Sequence, residues 1–426
     1  MAMNARESMP TQHLLRPMLL APAGDWSALS AALDNGADAV YFGVGSLNMR
    51  SNAAANFQEA ELPQVVARCH AQGAKAWLTA NIIVYDGELA AMERLMDSAA
   101  EAGVDAVIAA DPAVMQMARR RRLPIHLSVQ ANAANHRTLA FYAPYIDVAV
   151  AARELTLAQL RELSEAIRRE DIRGASGELL RLEVFAHGAL CIGISGRCGM
   201  SLCQHNTSSN RGSCYQPCRR SYVVRDEETG QELKLENKYI MSPRDLCTIG
   251  RVGELLEAGA SVLKLEGRGR SADYVATVTR CYREAVDAWI AGENVTPERL
   301  SGWRQALSGV FNRGFWEGGY YMGEESGSWA CGSDSQATLR KECIGVVEDY
   351  YVRSGIAQVR MNAGRVRLGE RLLCIGPTTG AEEMVPAELR ADENSADEAV
   401  AGQVLTFPCK AKLRRGDKVY VLRQRN

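Results

Sequence analysis

The sequence predicts an α/β fold, a (β/α)8 barrel of the TIM type followed by a small β-barrel, and three observations carry the first part of that prediction. Short apolar runs alternate with amphipathic stretches through the first 290 residues. Eight such runs occur, which calls for a parallel sheet crossed by helices. The repeat occupies about 250 residues, the usual size of such a barrel. An open doubly wound sheet is the competing arrangement. It normally carries a glycine-rich nucleotide turn, and neither G-x-G-x-x-G nor a P-loop occurs here.

The strand candidates, in order, are Met18 to Ala21, Ala39 to Phe42, Ala76 to Thr79, Ala106 to Ala109, Ile125 to Ser128, Val148 to Ala151, Leu182 to Phe185 and Val262 to Leu265. Each apolar run is short and ends in a polar or glycine turn. Helix patterns fall between them at Trp26 to Asn35, Glu61 to Ala71, Gly87 to Ala102 and Thr156 to Arg168. Asp25 and Asp111 stand where N-caps are expected, and Asn132 and Asn135 are further capping candidates. The run Arg119 to Arg122 suits a helix C-terminus, where cations complement the dipole.

Residues 1–295 therefore form the expected barrel domain and 296–340 a connecting segment that includes the Gly/Ser-rich stretch Gly323 to Ser335. Residues 341–426 change character. Short alternating strands at Ile344 to Val347, Ala357 to Met361, Arg371 to Ile375 and Lys418 to Leu422 predict the small β-barrel.

Apolar residues make up 47% of the 426, enough for more than one core. Basic and acidic residues nearly balance, 49 against 51, so the chain is no general polyanion binder and any nucleic-acid contact must rest on local basic patches. One such patch is the tail Phe407 to Asn426. It holds Lys410, Lys412, Arg414, Arg415, Lys418, Arg423 and Arg425 against a single acid, Asp417. A solvated face and an RNA backbone contact are both open readings of it. No basic-then-apolar segment opens the sequence and the cysteines are sparse, so the expected compartment is the reducing cytoplasm. No apolar run of about 18 residues suggests a membrane span.

Cys191, Cys198, Cys214 and Cys218 fall within 28 residues of one another, just after the seventh strand candidate. Gaps of six, fifteen and three residues let four thiolates converge from one loop onto a compact inorganic centre. An iron-sulfur cluster is the first candidate. Zinc is its rival, although zinc knuckles space paired ligands by two to four residues and the first gap is wider. A disulfide pair or ordinary buried thiols remain open too. Cys203 sits between the pairs as a bystander or substitute ligand, and Cys69, Cys247, Cys281, Cys331, Cys343, Cys374 and Cys409 read as core.

In a barrel, chemistry belongs where strands end and helices begin. Polar residues gather at those junctions: Asn81, Gln130, Asn132, Arg153, Glu154, His187, Glu266 and Arg268. The cysteine loop leaves the same end of the seventh strand, so it should share a face with them. His187 is a candidate base or a hydrogen-bonded structural histidine. Glu266 and Arg268 are a simple ion pair or, with Lys264, part of an anion-binding trio.

The segment Glu183-Val184-Phe185-Ala186-His187-Gly188-Ala189-Leu190-Cys191, continued through Gly196, Cys198 and Ser201, resembles the signature of the collagenase-like peptidase U32 family. Leu20-Ala21-Pro22-Ala23-Gly24, Gly36 to Tyr41, Ser128-Val129-Gln130-Ala131-Asn132 and Leu263 to Arg268 agree with it. The resemblance spans roughly residues 18–320. It implies an oxygen-independent hydroxylase carrying a 4Fe-4S cluster on Cys191, Cys198, Cys214 and Cys218, with Cys203 left out. The close pair in Arg211-Gly212-Ser213-Cys214-Tyr215-Gln216-Pro217-Cys218-Arg219 looks like the RNA-modifying branches, and the pattern around Gly376-Pro377-Thr378-Thr379 resembles the second domain of translation factors.

By that resemblance the expected activity is prephenate-dependent hydroxylation of the wobble uridine of transfer RNA. His187 and Glu266 are the catalytic candidates. Gln130, Asn132, Arg153, Lys264 and Arg268 are candidates for the small dicarboxylate or a base edge. Lys410, Lys412, Arg414 and Arg415 are expected to hold RNA, with Arg211, Arg219 and Arg220 beside the cysteines as a second patch. Three alternatives stay open: hydroxylation of ribosomal RNA, a peptidase, and a noncatalytic RNA-binding factor. Neither H-E-x-x-H nor G-x-S-x-G occurs, which disfavours the peptidase.

Overall fold

A computed structural model describes residues 16–234, 241–317, 330 and 335–425. Residues 1–15, Cys331, most of the Gly323 to Ser335 stretch and the terminal Asn426 lie outside the described residues.

Eight parallel strands close into a cylinder: β1 (Met18–Ala23), β2 (Ala39–Phe42), β3 (Lys75–Ala80), β4 (Ala106–Ala109), β5 (Ile125–Leu127), β6 (Val148–Val150), β7 (Arg181–Gly188) and β8 (Ala260–Leu265). Each strand pairs with the next, and β8 pairs with both β7 and β1, which removes the open-sheet alternative. Period-2 alternation divides the side chains between two cores. Leu20, Ala39, Tyr41, Trp77, Ala106, Ile108, Val148 and Val262 fill the cylinder. Their neighbours Leu19, Val40, Leu78, Val107 and Leu263 face outward against the helices.

The helices that cover the cylinder start at the expected caps. Asp25 accepts from the Ala28 amide at 2.8 Å and opens α1 (Trp26–Asp34), and Asp111 accepts from the Ala113 amide at 2.9 Å and opens the helix Pro112–Arg120. Asn135 caps His136–Tyr142 through the Thr138 amide, whereas Asn132 takes a left-handed φ of 53° at the end of a 3-10 turn. At the arginine run, Arg121 is tied to Glu93 and Asp97, so this helix end is a salt-bridged surface.

Residues 339–425 form an antiparallel, eight-stranded sheet with its own core around Ile344, Val347, Val359, Leu372, Leu405, Phe407 and Val419. Its long strand Leu339–Tyr351 pairs on both sides, with Ile356–Met361 and with Lys418–Gln424. The edge strand Gly380–Met384 is covered by α1 and by the helix Ala272–Ile290, which shields its unpaired backbone groups. Ser30 Oγ donates to the Pro377 carbonyl at 2.6 Å, and Lys341 pairs with Asp273 at 2.6 Å across the same seam. Cys343 corrects one expectation. It is exposed, because the alternation that sends Ile344 inward turns its neighbour outward.

Candidate active site

The C-terminal ends of the strands surround a cavity of about 220 Å³. Tyr41, Thr79, Ile108, Phe185 and Lys264 line its floor, each on an inward position of its strand. The backbone after β8 crosses the rim very closely. Gly188, at φ +107°, allows this: a Cβ there would lie 2.4 Å from the Glu266 carbonyl.

Cations dominate the lining: Arg50, Arg153, Arg219, Lys264, Arg268, Arg270 and Arg313, against Glu266 as the single carboxylate among the described residues. Their partners differ. Arg50 lies 2.7 Å from Glu266 Oε1. Burial pushes the Glu266 carboxyl up, but Arg50, with Arg270 and Arg153, outweighs burial and holds it down at about 2. Glu266 is therefore ionised at neutral pH, and its partner is Arg50 rather than Arg268. Lys264 Nζ lies 2.7 Å from Glu183 Oε1 and 4.6 Å from the centre of the Tyr41 ring. Glu183 is fully buried, and its Oε2 has no hydrogen-bond partner among the described residues.

Arg268 is held differently. Its Nη1 donates to Asn48 Oδ1 at 3.1 Å and to Thr79 Oγ1 at 2.7 Å, both neutral acceptors, and burial pulls the guanidinium down to about 10. Gly43 makes room, since a Cβ there would stand 2.7 Å from Arg268 Nη1. The Arg153 guanidinium carbon lies 4.0 Å from the centre of the Phe185 ring, and its Nε is buried without a partner among the described residues. These two guanidinium groups carry charge into the cavity that no neighbouring carboxylate neutralises in a direct ion pair among the described residues.

All four expected thiols, Cys191, Cys198, Cys214 and Cys218, open onto this cavity. Burial pushes the Cys218 thiol up to about 11; Arg219 opposes, and the charges of Cys191, Cys214 and Cys198 add to the rise. Backbone amides approach two of the sulfurs, Gly193 N to Cys191 Sγ at 3.3 Å and Met200 N to Cys198 Sγ at 3.4 Å. Such N–H···S contacts suit thiolates, whether bound to a cluster or to another metal. Cys203 is exposed and outside the lining. No three His, Cys, Asp or Glu among the described residues converge as a ready-made site for one ion, so the ligand set rests on the shared cavity.

Several expected residues are placed elsewhere. His187 does not reach the mouth. A register shift between Lys264/Phe185 and Leu265/His187 inserts an extra residue in β7, and such a bulge re-aims the next side chain. His187 packs instead among Tyr274, Tyr282 and Phe315, with Nδ1 3.3 Å from the Tyr282 hydroxyl, and burial lowers it to about 3. Asn132 lies behind the cysteine loop, accepting from Ser195 Oγ at 2.8 Å, while Gln130 is in the lining beside Asn81 at 3.3 Å. Arg219 donates to the carbonyls of Leu190 and Pro243 and so clamps the loop from below. Arg211 pairs with Glu88, and Arg220 is exposed.

In the tail, Lys410, Lys412, Arg414 and Arg415 are exposed, but Arg423 is bound to Glu342 and Glu370, and Asp417 is buried, accepting from the Arg414 amide. The sequence reading had no signal for Arg50, Asn48, Thr79 or Glu183. Inward parity on β7 would have singled out Glu183.

The pattern of peptidase family U32 matches residues 24–330. The chain is similar to a Porphyromonas gingivalis protein named Collagenase, 42% identical over 402 residues, 94% of this chain and 97% of that one. It is also similar to tRNA hydroxylation protein P1 of Bacillus subtilis, 34% identical over 306 residues, 70% of this chain and 69% of that one. The 23S rRNA 5-hydroxycytidine C2501 synthase of Escherichia coli is 33% identical over 273 residues, 64% of this chain and 39% of its own length. Among the described residues no helix is long and apolar enough to cross a membrane.

Proposed function

Since the chain belongs to peptidase family U32, we propose that it is an RNA hydroxylase that installs a hydroxyl group on a uridine of transfer RNA, with a small dicarboxylate such as prephenate as hydroxyl donor and a 4Fe-4S cluster on Cys191, Cys198, Cys214 and Cys218. The observation that carries the reading is the single cavity shared by four thiols and seven cations. A dicarboxylate needs two cationic forks. Arg268 and Arg153, without carboxylate partners among the described residues, are the strongest of them, because a planar guanidinium meets a carboxylate through two parallel hydrogen bonds.

Lys264 contributes less attraction, since Glu183 already neutralises it. Glu266, held ionised, acts as an acceptor that steers Arg50 and does not donate a proton near neutral pH. Gln130 offers an amide edge to a base or carboxylate. A cluster on the four thiolates would supply an iron centre open to the cavity. Phosphates of the RNA would meet the exposed Lys410, Lys412, Arg414, Arg415 and Arg220.

Mass spectrometry of transfer and ribosomal RNA nucleosides from a deletion strain tests the reading. Loss of a hydroxylated uridine supports it. Loss confined to a ribosomal cytidine would move the target to ribosomal RNA, and unchanged nucleosides would refute both. The near-full-length similarity to a protein named Collagenase favours peptide hydrolysis as a second reading. Against it, no histidine lines the cavity among the described residues, so the cavity offers no Ser–His or Cys–His pair. Release of soluble peptides from gelatin by the purified protein would establish it.

A further inference from the structure

Two exposed tyrosines pack against the cysteine loop that opens onto the cavity, and neither belongs to the cavity's lining. Tyr85 is 57% exposed and Tyr215 is 52% exposed. Single exposed aromatics are ordinary, but each of these two packs against a side chain of the cysteine loop, Arg211 or His205. The Arg211 guanidinium lies 3.9 Å over the Tyr85 ring and is fixed by Glu88 and by the Ile83 carbonyl at 2.7 Å. Tyr215 packs 5.1 Å from the His205 ring, and its amide donates to Ser201 Oγ at 3.1 Å. Arg211 covers one face of Tyr85, His205 meets Tyr215 at a tilt of 47°, and about half of each side chain is in solvent, so each ring keeps surface that a base can cover. Arg211 precedes Cys214 by three residues and Tyr215 follows it directly; Cys214 and Gln216 line the cavity, and Ser213 Oγ accepts from Asn52.

Resting on the reading of the cavity as an RNA hydroxylation site, we propose that Tyr85 and Tyr215 form a two-ring platform on which unpaired bases of the RNA stack, next to the nucleotide that enters the cavity. Pre-fixed rings suit this work, because stacking then immobilises little further protein and every base has a face to offer. Charge agrees. The exposed Arg220 and Arg197 flank the same loop, so an anionic backbone is attracted to the rim that presents the rings.

The test uses the full chain and a uridine-rich single-stranded RNA carrying 2-aminopurine, whose fluorescence is quenched when it stacks. Tyr85→Ala and Tyr215→Ala should each weaken binding at least about five-fold and relieve the quenching, while Tyr85→Phe and Tyr215→Phe should bind within about two-fold of the parent. Thermal denaturation checks that each variant is folded. If the parent binds and hydroxylates RNA but the alanine variants match it, the platform is refuted and the RNA reading stands. If the parent binds no RNA, the RNA reading itself fails. If the alanine variants lose affinity for gelatin peptides and not for RNA, the rings serve a peptide and the proposal is overturned.

Discussion

The cavity of the barrel and the tail of the C-terminal sheet are both rich in arginine and lysine, yet the same side chains are placed in opposite physical situations. In the cavity Arg268 and Lys264 are buried, so each charge is costly to desolvate and interacts strongly with whatever faces it. In the tail Lys410, Lys412, Arg414 and Arg415 lie in water, where screening leaves each contact weak and only their number matters. Neutralised and free cations can also be told apart in the cavity: among the described residues Lys264 and Arg50 pair with acids, while Arg268 and Arg153 do not. Composition alone would weigh all of them alike.

The largest effect expected on the cavity side is all-or-none. Anaerobically purified protein should be brown, with about four irons and four sulfides per chain. Cys191→Ser or Cys214→Ser should abolish the colour, and Cys203→Ser should leave it. Stoichiometric zinc without iron would end the cluster assignment.

Next comes the buried pair. Lys264→Met leaves Glu183 as an uncompensated buried charge and should cost about 3–5 kcal/mol in urea denaturation. The exposed Lys418→Met, a tail cation, should leave the midpoint unchanged. Equal losses from the two would erase the contrast between cavity and tail.

Burial makes a third prediction through pH. His126 and His187 are each lowered from 6.5 to about 3, by burial above all. Both are neutral in either state at neutral pH, so nothing is lost there. As the pH falls below 6.5 the unfolded chain takes up protons that the barrel refuses, and stability declines until about pH 3. Each histidine should cost about 2 kcal/mol by about pH 5. His126→Gln with His187→Gln should flatten that part of the profile measured by denaturation.

A smaller effect is expected for Arg268→Lys, which keeps the charge but replaces a fork by a point donor. Prephenate affinity by calorimetry should fall about ten-fold, near 1.4 kcal/mol, and unchanged affinity in both Arg268→Lys and Arg268→Ala would make the residue structural.

The smallest effect per residue belongs to the tail. Neutralising Lys410, Lys412, Arg414 and Arg415 together should flatten the slope of log affinity for transfer RNA against log salt by up to about 3, while cluster absorbance and dicarboxylate binding stay the same. Unaltered RNA binding would leave these residues as a solvated surface and shift the RNA site to the rim around Arg220.

What the sequence determined by itself was whatever is encoded within a few residues. Alternation and spacing set the eight strands, Asp25, Asp111 and Asn135 cap the helices they precede, and one loop delivers four cysteines to the strand ends. These follow from local periodicity and from hydrogen bonds that span two or three positions. Only the tertiary structure decided which charge meets which. Glu266 pairs with Arg50, 216 residues away, and not with Arg268 two residues on; Lys264 pairs with Glu183, 81 residues away. One bulge in β7 turned His187 from the mouth into the aromatic core. Such outcomes depend on the register between neighbouring strands of the closed cylinder, here β7 and β8, and a shift of one residue there reverses the face of every side chain beyond it.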